Sequence, residues 1–351
     1  MKSSRKFFKP VLIAITCLMT AGMASAQGIT MATWGGGVGK GWREAFGKPF
    51  TAAKGYPVTI VEVPSPEAQI RAQKDAPKYN AAIASLFEAV QMYDDGLLED
   101  FDPKDIPALK DVPEKFLLKT PAGRVVGVST YFAYYGIAVN TDLAKSSDFS
   151  SWKELGNPKW KGKLAITRPV YSSAYDLTIL SVASGGTEKD PAKGLPLLSA
   201  LAGNSLAMYS SMAQMNQLLQ RGEVVAAPYY STRVWEMRRE GMKNLQMVTP
   251  KEGGLSIPYL VVVPKGATGK NEYMQWLNYV AQPEGQIRLA ELAGYMPLNS
   301  TAVLPPALEK ELGQPLPALL QSLYQPDWML IARTRKDRMS MVEKAMANAP
   351  K

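Results

Sequence analysis

The 351-residue chain has no histidine, and its single cysteine, Cys17, lies close to the start. These absences exclude a Ser-His-Asp triad and, after residue 17, a cysteine nucleophile or a zinc site built from His and Cys ligands. They also exclude a disulfide within the chain. Binding without covalent chemistry is therefore the favoured class of function. We expect neither an enzyme nor a cofactor or metal site.

Other features are scarce as well. No second apolar run of membrane length follows the first one, and no dense Lys/Arg block with interleaved aromatic residues is present. A nucleic-acid partner is therefore not expected. The formal net charge of +9 is modest for a chain of this length and says little about partners.

The first 26 residues are typical of a secretory signal peptide. Basic residues as far as Lys9 precede an apolar run at 10–23, and Ala24-Ser25-Ala26 is a small-x-small cleavage site. The alternative, a membrane anchor, needs about 20 apolar residues. Lipid attachment at Cys17 fits poorly, because bulky Ile15 and Thr16 precede it. We expect cleavage after Ala26 and a periplasmic product.

Strand-like runs alternate with helical patterns through the rest of the chain, which predicts α/β architecture with mainly parallel sheets. At roughly 100–200 residues per domain, the length predicts two domains. Ser173-Ala174-Tyr175-Asp176 is typical of a capping box at the start of an apolar helix that runs to Ala183.

A glycine cluster at 35–41 does not have the spacing of a phosphate-binding loop. That loop would need glycine at 34 and serine or threonine at 41, where Trp34 and Gly41 stand. The cluster instead predicts a turn from strand to helix at Gly35-Gly36 whose free backbone N–H groups face a ligand.

Two aromatic clusters have open interpretations. Four aromatic residues stand among the five positions Tyr131–Tyr135, between strand-like runs at Val125–Val128 and Gly136–Val139. They form either core packing or an aromatic wall of a cleft. Tyr229-Tyr230 either binds ferric iron as phenolates or lines a cleft, and the second is favoured because hard-metal sites usually add carboxylates.

Two arginines stand at strand ends. Arg168 follows the predicted strand Leu164–Thr167, and Arg233 comes soon after Val224–Ala227. Ligands of open α/β sheets bind at the carboxyl ends of strands, and the planar arginine fork suits a carboxylate or phosphate. The alternative is a pair of solvated surface arginines.

Short stretches spread over nearly the whole chain after residue 26 resemble periplasmic solute-binding proteins of ABC importers with the type II fold. The resemblance is to the branch that holds spermidine/putrescine-binding and ferric-iron-binding receptors, within extracellular solute-binding family 1. It is carried by stretches that include Thr33-Trp34-Gly35-Gly36, Gly136–Asp142, Lys159–Lys163, Val263–Gly266 and Pro326-Asp327-Trp328.

The resemblance implies two lobes, each a mainly parallel sheet flanked by helices, joined by crossing hinge strands. The lobes would comprise 27–132 plus about 262–302, and 137–258 plus about 303–351. They would close on a small-molecule ligand like a hinge. The closed, monomeric receptor would then dock on an inner-membrane permease driven by an ATPase.

The resemblance also implies ligand-binding positions. Trp34, Gly35 and Gly36 match the first ligand-facing turn, and Ser85 matches a small polar residue after a sheet strand. The full expected set is Trp34, Gly35, Gly36, Ser85, Tyr131, Phe132, Arg168, Ser172, Tyr230, Arg233 and Tyr259.

Three stretches depart from the polyamine-binding pattern, which places acidic residues where amines bind. Here Arg168-Pro169, Ser231-Thr232-Arg233 and the segment from Ile257 to Tyr259 stand instead. Burying an amine without a partner costs several kcal/mol. We therefore expect a carboxylate-, phosphonate- or amino-acid-like solute. A polyamine receptor, a ferric-iron receptor and a periplasmic enzyme on this fold are the alternatives.

Overall fold

The computed structural model describes residues 28–350. The predicted signal peptide, Cys17 and the cleavage site after Ala26 lie outside the described residues. Within 28–350, no helix is both long enough and apolar enough to cross a membrane.

The strands are short, apart from two that are central to the sheet. They are β1 (Ile29–Thr33), β2 (Val58–Glu62), β3 (Ala81–Ser85), β4 (Val128–Asn140), β5 (Leu164–Thr167), β6 (Ser205–Tyr209), β7 (Ala226–Tyr230), β8 (Leu245–Val248), β9 (Gly254–Val262), β10 (Met296–Pro297) and β11 (Leu323–Tyr324).

The helices alternate with these strands. They are α1 (Gly37–Trp42), α2 (Lys48–Lys54), α3 (Pro66–Ala72), α4 (Leu86–Asp94), α5 (Pro169–Ser172), α6 (Asp176–Ala183), α7 (Leu195–Asn204), α8 (Met212–Gln220), α9 (Ser231–Arg239), α10 (Lys270–Val280), α11 (Pro283–Ala293), α12 (Pro306–Leu312), α13 (Leu316–Gln321), α14 (Trp328–Arg333) and α15 (Arg335–Ala347). A π-helical turn at Arg43–Gly47 joins α1 to α2.

The sheet has two parallel strand groups on either side of an antiparallel centre. Its order is β2-β1-β3-β9-β4-β7-β5-β6. We call β2-β1-β3 the first strand group and β7-β5-β6 the second, and within each group the strands run parallel. β4 and β9 are antiparallel to each other and to the groups they join. The predicted α/β class is confirmed, and the described parallel pairs lie within the two groups apart from the short pair of β11 with β9.

β4 lies between the two groups, where it pairs with β9 on one side and β7 on the other. Its first half pairs with β9, from Val128 opposite Val261 to Tyr135 opposite Leu255. Its second half pairs with β7, as far as Val139 opposite Ala226. The strand junction expected at 131–135 is therefore wrong. Aromatic residues favour extended backbone, and one continuous strand runs through them.

The capping-box interpretation at Ser173 is also wrong. Helix α6 begins at Asp176, with Tyr175 in the N-cap position and no side-chain cap. The Ser173 hydroxyl instead donates to the carbonyl of Val170, inside the preceding short helix.

Helix α11 packs unusually close to the π-helical turn at the first strand group. Trp42 stacks on Phe46 with ring centroids 4.4 Å apart, and a Cβ atom on Gly285 would overlap the Phe46 ring. Trp42, Phe46 and Trp276 are all fully buried in this core. Glycine is therefore required at 285 by the close approach rather than by a turn.

We expect Gly285→Ala to lower the free energy of unfolding by about 1–3 kcal/mol, because the added methyl group overpacks this core. In an unobstructed helix the same change would stabilise by up to about 1 kcal/mol. Urea unfolding measures whether the free energy of unfolding falls or rises, and Glu284→Ala at the exposed neighbouring position is the control. A stabilised Gly285→Ala variant would contradict the packing described for α11.

Candidate ligand-binding cleft

A cavity of about 280 Å³ lies between the two strand groups, where their parallel strands end. β1, β5 and β6 end immediately before lining residues, and the last residues of β3 and β7 are lining residues themselves. This is the edge at which open α/β sheets bind ligands. Six predicted site residues line the cavity, namely Trp34, Ser85, Arg168, Tyr230, Arg233 and Tyr259.

Three predicted residues lie behind the cavity wall. Tyr131 and Phe132 are fully buried on β4, and Tyr131 stacks on Tyr259 with centroids 5.2 Å apart. The Tyr131 hydroxyl accepts a hydrogen bond from Trp42 Nε1 at 3.4 Å. Ser172 is also fully buried. These side chains support the wall without lining the cavity.

The glycine turn faces a carboxylate of the protein itself. Gly36 has a φ of 82°, in the region that favours glycine, and its N–H donates to Glu62 Oε2 at 3.2 Å. A Cβ atom on Gly36 would lie 3.8 Å from Arg233 Nη1. A side chain at Gly35 would instead crowd the Glu62 carboxylate at 3.0 Å, and neither glycine lines the cavity.

Aromatic rings form much of the wall. Trp34 meets Tyr259 edge to face at 5.6 Å, Tyr175 meets Tyr230 in the same way at 5.9 Å, and Tyr171 is parallel to Tyr175 at 6.3 Å. Burial raises the pKa of Tyr175, Tyr230 and Tyr259 well above the ordinary range. These rings therefore stay neutral, and their faces suit apolar groups or a cation.

The two tyrosines at 229–230 have different surroundings. The Tyr229 hydroxyl donates to Asn216 Oδ1 at 2.7 Å, and burial raises the pKa of both phenols. Across the described range 28–350, no cluster of three or more His, Cys, Asp or Glu side chains is placed to hold a metal ion. The interpretation as cleft-lining aromatics suits Tyr230, and Tyr229 packs behind it.

Arg168 is the cavity's unpaired cation. It occupies the N-cap position of α5 without a side-chain cap, is exposed, and places its guanidinium carbon 4.9 Å from the centroid of the Tyr171 ring. Among residues 28–350 it has no carboxylate within ion-pair distance. Arg233, by contrast, is paired with Glu236 at 2.7 Å. Arg168 is thus free to receive an anion.

Two helices begin at the same side of the cavity. Ser211 is the N-cap of α8, and Ser210, Ser211 and Met212 line the cavity. Thr232, in the first turn of α9, also lines it. The unpaired N–H groups and dipole of a helix start favour negative charge. This wall, formed with Arg168, is electropositive.

The opposite wall carries one carboxylate, Glu88, that the sequence did not single out. The Ser85 hydroxyl and N–H donate to Glu88 Oε2 at 2.8 and 2.9 Å, which completes a capping box at the start of α4. Burial raises the pKa of Glu88 to about 6. Ser85-Leu86-Phe87-Glu88 has the capping-box spacing, so the sequence identifies Glu88 as a helix-start residue.

Eight further residues line the cavity that were not predicted from the sequence. They are Pro64, Tyr171, Tyr175, Ser210, Ser211, Met212, Thr232 and Tyr295.

Comparison with known proteins identifies the family to which the chain belongs. The model of the family described as bacterial extracellular solute-binding protein matches residues 45–313. The chain belongs to this family. As a bacterial extracellular solute-binding protein of an ABC transporter, it binds a small molecule, interacts with a membrane permease and is not an enzyme. The predicted class of function is confirmed.

Individual relatives agree with that membership. This solute-binding protein is 26% identical over 308 residues to the gamma-aminobutyric acid-binding protein of Pseudomonas aeruginosa, with 83% of each chain covered. It is 25% identical over 270 residues to the spermidine/putrescine-binding periplasmic protein 1 of Haemophilus influenzae, covering 75% of this chain and 73% of that one.

A solved structure has the same fold. The PBP MotA of A. tumefaciens B6, in complex with glucopine, superimposes with a TM-score of 0.76 at 20% identity, covering 91% of this solute-binding protein and 100% of that chain. The predicted type II periplasmic-binding-protein fold is confirmed.

Proposed function

We propose that the protein captures a small organic solute bearing a carboxylate or phosphonate and delivers it to an inner-membrane permease powered by an ATPase. In this proposal it works as a monomer in the periplasm after cleavage behind Ala26. The observation that carries the ligand class is the unpaired guanidinium of Arg168 in the cavity wall. A bidentate arginine–carboxylate pair would use that free fork.

Closure around the ligand is part of the proposal. The lobes would be 27–132 plus about 262–302, and 137–258 plus about 303–351, on either side of the cavity. β9 pairs with the first strand group, β4 pairs with the second, and the two strands pair with each other, which supports their role as the hinge. Closure would exclude water and strengthen the polar contacts to the ligand.

A polyamine receptor is the second candidate. Glu88 provides one carboxylate at the cavity, and the Haemophilus influenzae relative carries a spermidine/putrescine name. A diamine, however, places a charge at each end and calls for an acceptor at both. Along the described lining Glu88 is the sole acid, while Arg168 would repel the second ammonium. The anion proposal is therefore the better supported.

A thermal-shift panel tests the proposal on the purified protein, with small carboxylates, phosphonates, amino acids, putrescine and spermidine. A ligand at about 100 times its Kd that binds only the native state adds about 2.7 kcal/mol of stability. We expect acids to raise the Tm and the two polyamines to leave it unchanged. If only the polyamines raise the Tm, the proposal is wrong and the protein is a polyamine receptor.

A further inference from the structure

The cavity has a positive charge, Arg168, on one wall and a negative charge, Glu88, on the opposite wall. This separation of charge limits which ligands fit. We infer that the cleft selects solutes that carry an ammonium group at a distance from their acid group, with Glu88 as the acceptor of the ammonium. The inference rests on the proposed function, in which Arg168 holds the acid. It adds a specificity-determining residue and narrows the ligand to ω-amino acids and related zwitterions.

The first support is the hydrogen bonding of Glu88. Both bonds from Ser85 go to Oε2. Within the described chain Oε1 accepts no hydrogen bond, and no lysine or arginine forms an ion pair with this carboxylate. An oxygen with free acceptor capacity therefore stands at a cavity wall.

The second support is the cost of placing a carboxylate there. A glutamine in the same position completes a capping box equally well. The acid instead suffers desolvation, which disfavours its charged form. The dipole of α4 offsets part of this penalty, and a cation from the ligand would compensate the rest directly.

The third support is the surroundings of Glu88. Arg335 lies behind it, over the Phe87 ring at 5.3 Å and bonded to Gln91, and its charge acts on Glu88 without an ion pair. Tyr175 and Tyr259 are close enough to interact with Glu88 electrostatically. An ammonium beside Glu88 would therefore also meet the negative faces of aromatic rings.

Isothermal titration calorimetry on matched ligand pairs tests the inference. The pairs are 3-aminopropanoate with propanoate, 4-aminobutyrate with butyrate, and 5-aminopentanoate with pentanoate, with putrescine as the diamine. For the wild-type protein we expect at least one amino acid to bind ~10–100-fold more tightly than its des-amino partner, as fits a charge-assisted hydrogen bond.

Glu88→Gln keeps the helix cap and removes the charge. We expect it to abolish the preference for the amino acid while the affinity for the des-amino acid stays within about 2-fold, since the Arg168 contact is untouched. Glu284→Gln is the matched control, because Glu284 is an exposed carboxylate in the first turn of α11 and does not line the cavity.

The outcomes separate the two proposals. If Glu88→Gln keeps the wild-type preference, or if every amino acid binds no better than its des-amino partner, the assignment of Glu88 is wrong while acid binding at Arg168 stands. An equal loss for both members of a pair would also refute it, because the effect would then not follow the ammonium. If no acid binds and putrescine does, the proposed function itself fails.

Discussion

Replacing Arg168 by alanine is expected to weaken the binding of acidic solutes by at least ~100-fold, because two charge-assisted hydrogen bonds are lost together. Arg168 is exposed and has no carboxylate partner among the described residues, so its removal leaves no buried group unsatisfied. The Tm of the ligand-free protein should therefore change little. Calorimetric titration with the best acid of the thermal-shift panel measures the loss.

A conservative variant and a control variant accompany Arg168→Ala. Arg168→Lys keeps the charge but loses the planar fork, so we expect an intermediate affinity. Arg221→Ala removes an arginine that is exposed and paired only with Glu223, away from the cavity, and should bind as the wild type does. Unchanged affinity in Arg168→Ala would remove the central support for an anion site.

Asp176→Asn is expected to make the protein more stable at pH 8 and to flatten its pH dependence. Asp176 is fully buried, and its Oδ1 accepts from the Tyr135 hydroxyl at 2.9 Å. Burial raises its pKa from 3.8 to about 7. The folded state thus holds the proton more tightly than the unfolded state, and stability is highest below pH 3.8 and falls as the pH rises through 7.

For a shift of this size, linkage gives a loss of about 3 kcal/mol in the free energy of unfolding between pH 5 and pH 8. Asparagine carries no charge and retains the acceptor for Tyr135, so the variant should lose this part of the slope. Urea unfolding at both pH values measures it, with exposed Asp337→Asn as the control. Parallel slopes for wild type and Asp176→Asn would contradict a raised pKa of Asp176 in the native protein.

The strand-end residues show what sequence reasoning locates well. Trp34 and Arg168 directly follow apolar β-rich runs, and the carboxyl ends of parallel strands meet at one edge. The family resemblance also supplied Trp34 and Ser85, but for Arg168 the only guide was the strand-end rule. It needs only the pattern of strands, which local composition largely determines.

The residues that the sequence misplaced depend on tertiary register. Tyr131 and Phe132 stand in a strand buried almost throughout, so alternation does not reveal which side chain reaches the cavity. Ser172 belongs to a one-turn helix whose orientation is set by packing. The capping-box spacing marks Glu88 as a helix-start residue, but its position in the cavity wall follows only from the three-dimensional arrangement.

The position of β9 between β3 and β4 has a consequence for the order of folding. The first strand group cannot complete its pairing until residues 254–262 are available, long after β3 has been synthesised. Pairing over such a sequence separation is slow, because loop closure precedes the contacts that reward it. The N-terminal third of the chain therefore has no complete sheet to fold into on its own. For a protein that is exported before it folds, such a delay lengthens the time during which the leading segment has not completed its sheet.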